Sequence, residues 1–71
     1  MKRYLLYLQH EYDSGPHGRL HFHNDFDTVE DARQVAAASG MHGYQIEDLV
    51  GREVVEKGLV GDLAINSQGK Q

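Results

Sequence analysis

The segment that most constrains the fold of this chain spans residues 27–40, DTVEDARQVAAASG, because both of its ends and one of its faces indicate a helix. The Thr28 hydroxyl can cap the helix with Asp31 three residues on, and Asp27 is a competing cap. Gly40 supplies the left-handed residue that commonly ends a helix. The residues that share the apolar face are small: Val29, Ala32, Val35, Ala36 and Ser39. We therefore predict one short helix that lies close against bulkier side chains.

Four other segments alternate between apolar and polar residues, which is the pattern of β-strands with one buried face. These segments are residues 3–12, 19–24, 44–49 and 53–57. With the helix between the second and the third, the order of elements is β-β-α-β-β. The sequence therefore predicts the α+β class, with one helix packed on one face of a mostly antiparallel four-stranded sheet.

The hydrophobic pattern also predicts which side chains face the helix. Pairing the first two strands so that Leu8 lies beside Phe22 turns both toward the helix. The same register leaves His21 and His23 on the back of the sheet. A slip of one residue would move these histidines under the helix, so the pattern favours this register.

The last predicted strand directs Val54 or Val55 inward, depending on the length of the preceding turn, and ends at Gly58. We assign residues 1–58 to a single α+β domain, since a chain this short buries only roughly 60% of its unfolded surface and supports one core. Residues 59–71 form a C-terminal extension whose last few residues we expect to be disordered.

Composition excludes several classes of protein. The chain has no cysteine and no apolar run of about 18 residues. We therefore expect no disulfide framework, no thiolate metal site and no membrane insertion. The same features predict a cytoplasmic protein.

Charge is distributed unevenly along the chain. Residues 25–62 hold nine acidic and three basic residues, whereas residues 1–24 hold three basic and two acidic residues and four of the five histidines. A pI of about 5.6 does not fit direct binding to nucleic acid, which normally requires a basic stripe. An acidic surface favours a protein partner with a basic surface. The candidate contact residues are Glu30, Asp31, Glu47, Asp48, Glu53 and Glu56.

The histidines suggest an alternative function. His21 and His23 lie two residues apart on a predicted strand and so point to the same side, with His10 or His17 nearby in the hairpin. A histidine-based metal or small-ligand site is therefore the alternative to protein binding. The sequence fixes no third metal ligand beside these two histidines, so we favour solvated histidines and predict no cofactor.

The candidate catalytic groups have simpler structural interpretations. Capping and packing explain Thr28 and Ser39, and a loop and a tail explain Ser14 and Ser67. The GPHG segment lacks the lysine and the following helix of a phosphate-binding loop. The carboxylates of the second hairpin are expected to form a solvated edge. We therefore predict that the protein is not an enzyme.

A composite pattern covers about residues 26–58. It comprises Phe26-Asp27-Thr28, Asp31-Ala32, Tyr44-Gln45-Ile46-Glu47-Asp48-Leu49, Gly51-Arg52-Glu53-Val54-Val55 and Gly58. This pattern resembles short uncharacterised β-β-α-β-β proteins of phages and prophages, in which an aromatic-x-Ile-x-Asp-Leu strand turns at a glycine into a Val-Val strand. The resemblance carries over no catalytic or binding residue. It implies an accessory or inhibitor-type protein that acts through its surface.

We therefore expect a small non-catalytic protein-binding module, such as a phage-type accessory protein or inhibitor of a host nuclease or nucleic-acid-binding complex.

The predicted oligomeric state depends on apolar residues that one helix cannot cover. These are Leu5 and Tyr7 on the open face of the sheet, and Leu59, Val60, Leu63 and Ile65 in the extension. Either the extension covers the open face or two chains pack their open faces together, and we favour the homodimer.

Overall fold

The computed structural model describes residues 1–10 and 19–63. Its elements are β1 (Tyr4–Gln9), β2 (His21–Phe26), α1 (Val29–Ala38), β3 (Gly43–Asp48) and β4 (Glu53–Leu59). The strands form one sheet in the order β2-β1-β3-β4, and every neighbouring pair is antiparallel. β1 and β3 therefore lie inside, β2 and β4 form the edges, and the predicted α+β fold is confirmed.

The helix α1 begins and ends where local sequence predicts. The Thr28 hydroxyl accepts a hydrogen bond of 3.1 Å from the Asp31 backbone N–H, so Thr28 is the cap. Gly40, just beyond the helix, adopts the left-handed conformation with φ of 73°. Ala32 and Ala36 are fully buried. These small side chains let the helix lie close to the sheet.

The core lies between α1 and the sheet. Its buried members are Leu6, Leu8, Ala32, Ala36, Tyr44, Ile46, Val60 and Leu63. Leu6 and Ile46, paired across β1 and β3, are both fully excluded from solvent. Residues 60–63 are helical, and through Val60 and Leu63 the predicted extension contributes to this core. Burial of each large aliphatic side chain stabilises the fold by about 1.5–3 kcal/mol.

The predicted orientation of Phe22 is wrong. A bulge in the β1–β2 pair sets Asn24 opposite Leu6 but Phe22 opposite Tyr7. Residues opposite each other in an antiparallel pair share a face, so Phe22 lies with Tyr7 on the face away from the helix. Their rings meet edge to face with centroids 5.8 Å apart, and Phe22 is 51% exposed. The extra residue at the bulge, His23, reverses the face that simple alternation predicts.

The inward residue of β4 was also predicted wrongly. A second bulge sets Glu56 opposite Ile46 and Val54 opposite Glu47, with Val55 as the extra residue. Glu56 therefore lies on the helix side of the sheet, and Val54 lies on the other side. A charged residue can face the helix here because an arginine of α1 neutralises it, as described below.

Gly58 does not end β4, as the sequence predicted, but lies within it, opposite Tyr44. A Cβ atom at Gly58 would lie 3.6 Å from Cε1 of Tyr44. The tyrosine ring thus lies over the glycine, in contact with the strand. The predicted loop between β1 and β2 and the last residues of the predicted extension lie outside the described residues.

Candidate functional site

The antiparallel register places most acidic residues at one end of the sheet. β2 and β3 end there, β1 and β4 begin there, and α1 starts three residues after β2. We call this region the acidic end, and its carboxylates are Asp25, Asp27, Glu30, Asp31, Glu47, Asp48 and Glu53. Seven of the nine acidic residues in the described part of the chain therefore lie together, although the sequence separates them by up to 28 positions.

Asp48 differs from the other carboxylates of the acidic end because it is buried and bonded within the protein. It is 5% exposed, and Nε and Nη2 of Arg3 donate hydrogen bonds of 3.0 Å each to its two carboxylate oxygens. The backbone N–H of Val50 donates another, of 2.9 Å. The bond from Arg3 and the backbone bonds lower the pKa of Asp48 to about 2. The expectation of a solvated carboxylate is therefore wrong for Asp48, whose charge is satisfied inside the protein.

Glu56 is also held by intramolecular partners. Arg33 donates from Nε and Nη2 to its two oxygens at 2.8 Å and 2.7 Å, and the Tyr44 hydroxyl donates at 2.7 Å. The Arg33 bond lowers the pKa of Glu56. Burial, followed by the bond to Glu56, raises the pKa of Tyr44. Glu56 thus connects the helix to an edge strand instead of lying on a solvated edge.

Sequence reasoning did not identify the two arginines as partners of these carboxylates. Arg3 is separated from Asp48 by 45 positions and Arg33 from Glu56 by 23. No periodicity or short motif connects residues at such separations. The only available signal was that alternation along β3 places Asp48 on the same face as the buried Tyr44 and Ile46, and a buried acid requires a cation nearby.

Four of the six predicted contact residues remain accessible for a partner. Glu30, Asp31 and Glu53 are exposed, and Glu47 is half-buried. Within residues 1–10 and 19–63, the ion pairs at the acidic end join Lys2 with Asp27 and Arg3 with Asp48, and involve none of these four. The same end also carries Lys2, Arg3 and Arg52 against its seven carboxylates, so its charge remains negative but is partly compensated.

The sheet face opposite α1, which we call the back face, adjoins the acidic end. The register arranges its side chains in three rows across the strands. The first row is Asp25, Leu5, Glu47 and Val54, the second is Phe22, Tyr7, Gln45 and Lys57, and the third is Gln9, Gly43 and Leu59. Phe22, Val54 and Leu59 are each about half exposed, whereas Leu5 is buried. No helix or strand of the described residues packs over this face.

Two histidines, His10 and His21, lie close together at the opposite end of the sheet. The rings of His10 and His21 meet edge to face with centroids 5.8 Å apart. His21 lies opposite Leu8 and His23 at the bulge, so the predicted grouping of both on the back face is wrong. Among the described residues, no three His, Cys, Asp or Glu side chains are placed to hold a metal ion. His17 lies outside them.

An open depression of about 300 Å³ lies near the end of α1. It is lined by Gly40, Met41, His42, Leu59 and Gly61. His42 supplies its one titratable side chain, and the backbone N–H of His42 is bonded to Gln9 O at 2.9 Å. The lining thus offers no paired acid and base for catalysis.

Comparisons with protein-family models, with curated proteins and with solved structures found no match to this chain. Its function must therefore be argued from its own residues. No helix in the described part of the chain is long and apolar enough to span a membrane.

Proposed function

We propose that this chain is a small non-catalytic module that binds a basic surface of a partner protein. The observation that carries this proposal is the gathering of seven carboxylates at the acidic end by the sheet register and the helix start. Clustered like charges create a local potential that speeds encounter with a surface of opposite charge. The adjoining back face adds exposed apolar area, the other component of a protein interface.

The residues that would make the contact are the exposed carboxylates Glu30, Asp31 and Glu53, with Glu47 at the border of the back face. Asp48 and Glu56 would support them indirectly, because their own charges are matched by Arg3 and Arg33. The predicted contact set is thereby reduced from six residues to four.

The phage-type resemblance supports a host nuclease or a nucleic-acid-binding complex as the first partners to examine, because such proteins carry basic clefts. The chain would then act in the cytoplasm as an accessory protein or inhibitor. Occupation of a basic cleft by carboxylates would compete with nucleic acid for the same site.

The test compares two charge reversals of equal size. Glu53→Lys reverses a charge at the acidic end, whereas Asp62→Lys reverses the charge of an exposed residue beyond the opposite end of β4. Tagged wild-type protein is used to isolate the partner from native-host extract, and association rates are then measured by surface plasmon resonance. We expect Glu53→Lys to slow association several-fold and Asp62→Lys to leave it near the wild-type rate.

The salt dependence of the association rate provides the second measurement. Raising the ionic strength from about 0.05 M to about 0.5 M should slow association of the wild-type protein, because surface charges are then screened over a few ångströms. A partner whose binding ignored both the Glu53 reversal and salt would contradict the proposal.

A further inference from the structure

The carboxylates of Asp48 and Glu53 come together where β3 turns into β4. The two residues are directly opposite each other in the register, and like charges at such a pair destabilise a hairpin. A Cβ atom at Gly51, in the turn between them, would lie 3.4 Å from Oδ2 of Asp48 and 3.1 Å from Oε2 of Glu53. Both carboxylates therefore lie over the same side of the turn, and a cation is needed to hold them there.

Arg3 supplies this cation in a fixed orientation. Its Nε and Nη2 each donate to one oxygen of Asp48 at 3.0 Å, and its guanidinium carbon lies 5.1 Å from the centre of the Tyr4 ring. Two bonds in this arrangement fix the orientation of the carboxylate as well as matching its charge. Arg52, a cation of the turn itself, joins none of the ion pairs found in the described part of the chain.

The backbone of the β3–β4 turn depends on Arg3 and Asp48 as well. The Leu49 N–H donates to the carbonyl oxygen of Arg3 at 2.9 Å, and the Val50 N–H donates to Oδ1 of Asp48 at 2.9 Å. Asp48 is buried, so without the guanidinium its carboxylate would be an unpaired charge beside Glu53 and would turn toward water. The bond to Val50 would be lost with it, and the turn would no longer hold Glu53 in one place.

We infer that Arg3 is a positioning residue for the partner-binding surface: through Asp48 it fixes the β3–β4 turn and so holds Glu53 where it contacts the partner. This inference rests on the proposed function, in which Glu53 is a contact residue. It gives Arg3 an effect opposite to that of its charge. A cation at the acidic end reduces the attraction for a basic partner, so charge alone requires that loss of Arg3 speed association. Positioning requires that loss of Arg3 weaken binding.

The first measurement is made on the free protein. Backbone order parameters from nitrogen relaxation are compared for the wild type, Arg3→Gln and Arg52→Gln. Arg52→Gln is the matched control, because it removes the same charge from the same end and leaves the Arg3–Asp48 pair intact. We expect the order parameters of the Val50 and Gly51 amides to fall from about 0.85 to below about 0.6 in Arg3→Gln only. The amides of β1 and β3 should stay rigid in all three proteins, which would show that the core is folded.

The second measurement uses the protein that the tagged wild-type chain isolates from native-host extract. Surface plasmon resonance then gives its association and dissociation rates with each variant. We expect Arg52→Gln to associate faster than the wild type, since the acidic end becomes more negative. Arg3→Gln should bind several-fold more weakly and dissociate faster, since a mobile Glu53 must be ordered on binding.

Arg3→Lys provides a test at constant net charge, including the case in which Arg3→Gln does not fold. An ammonium group cannot make the two parallel bonds of a guanidinium. The order parameters at Val50 and Gly51 and the affinity should therefore lie between those of the wild type and those of Arg3→Gln. If Arg3→Gln does not fold, wild-type values of both quantities in Arg3→Lys would overturn the inference.

Two further results would overturn it. One is an unchanged order of Val50 and Gly51 in folded Arg3→Gln, and the other is faster association of Arg3→Gln than of the wild type. Either result would leave the proposed function standing, because that function is tested by Glu53→Lys. Equal binding of Glu53→Lys and the wild type would contradict the proposed function, and this inference with it, whatever the order parameters show.

Discussion

Arg33 of α1 and Glu56 of β4 form two hydrogen bonds, 2.8 Å and 2.7 Å long, that join the helix to an edge strand of the sheet. Tyr44 of β3 donates a third bond to the same carboxylate at 2.7 Å. Val54 pairs with Glu47 on the back face, so β4 is connected to α1 by polar contacts and not by a valine in the core.

The first prediction concerns this connection. Glu56→Ala should lower the free energy of unfolding by about 1–2 kcal/mol, because Tyr44 and Arg33 both lose their acceptor. Arg33→Ala should cost only about 0.5 kcal/mol, since the arginine side chain is 44% exposed and solvent screens its charge. The double variant, measured by urea denaturation, should show a coupling energy of about 0.5–1 kcal/mol. A coupling of zero would show that the pair adds nothing to stability.

The second prediction concerns acid stability. In the folded state the pKa of Asp48 is lowered to about 2 from its ordinary value of 3.8, chiefly by the hydrogen bond from Arg3. A lowered pKa means that the ionised carboxylate stabilises the fold above about pH 4, and that this contribution is lost as the pH falls toward 2. The lowered pKa values of Glu56 and Asp25 act in the same direction.

The free energy of unfolding of the wild-type protein should therefore decrease between about pH 4 and pH 2. Asp48→Asn should be much less stable than the wild type at pH 7, and the difference should narrow at pH 2. Urea denaturation at the two pH values measures both. A difference that stays constant with pH would mean that the Arg3–Asp48 pair does not contribute.

The third prediction separates the two faces of the sheet. Leu6 is fully buried beneath α1, so Leu6→Ala should cost about 2–5 kcal/mol. Phe22 is 51% exposed on the back face, so Phe22→Ala should cost less than about 1 kcal/mol. Denaturation midpoints of the two variants make the comparison. A larger loss for Phe22→Ala would support the register predicted from the sequence, in which Phe22 faces the helix.

The fourth prediction concerns the histidines. His10 and His21 are close together, but no third ligand joins them among the described residues. Zn²⁺ or Ni²⁺ added at neutral pH should therefore bind no more tightly than to an exposed histidine pair. Isothermal titration calorimetry of the wild-type protein and of His21→Ala provides the measurement. Stoichiometric sub-micromolar binding that His21→Ala abolished would favour the metal or small-ligand function instead.

Local sequence determined the elements whose signals lie within a few residues. The cap at Thr28, the left-handed residue Gly40 and the small buried face of α1 depend on contacts within one or two helical turns. The alternation in β1 and β3 was clear because both strands are internal and one face of each is buried. These features were sufficient to predict the α+β class and the element order.

Tertiary structure decided which face of the sheet each residue of the edge strands occupies. One extra residue at each bulge, His23 in β2 and Val55 in β4, shifts the alternation and changes the face of the residues beyond it. Edge strands are largely exposed, so their hydrophobic pattern is too weak to reveal such a shift. The ion pair between Arg3 and Asp48 joins residues 45 positions apart, and it forms because pairing of β1 with β3 brings Tyr4 opposite Asp48.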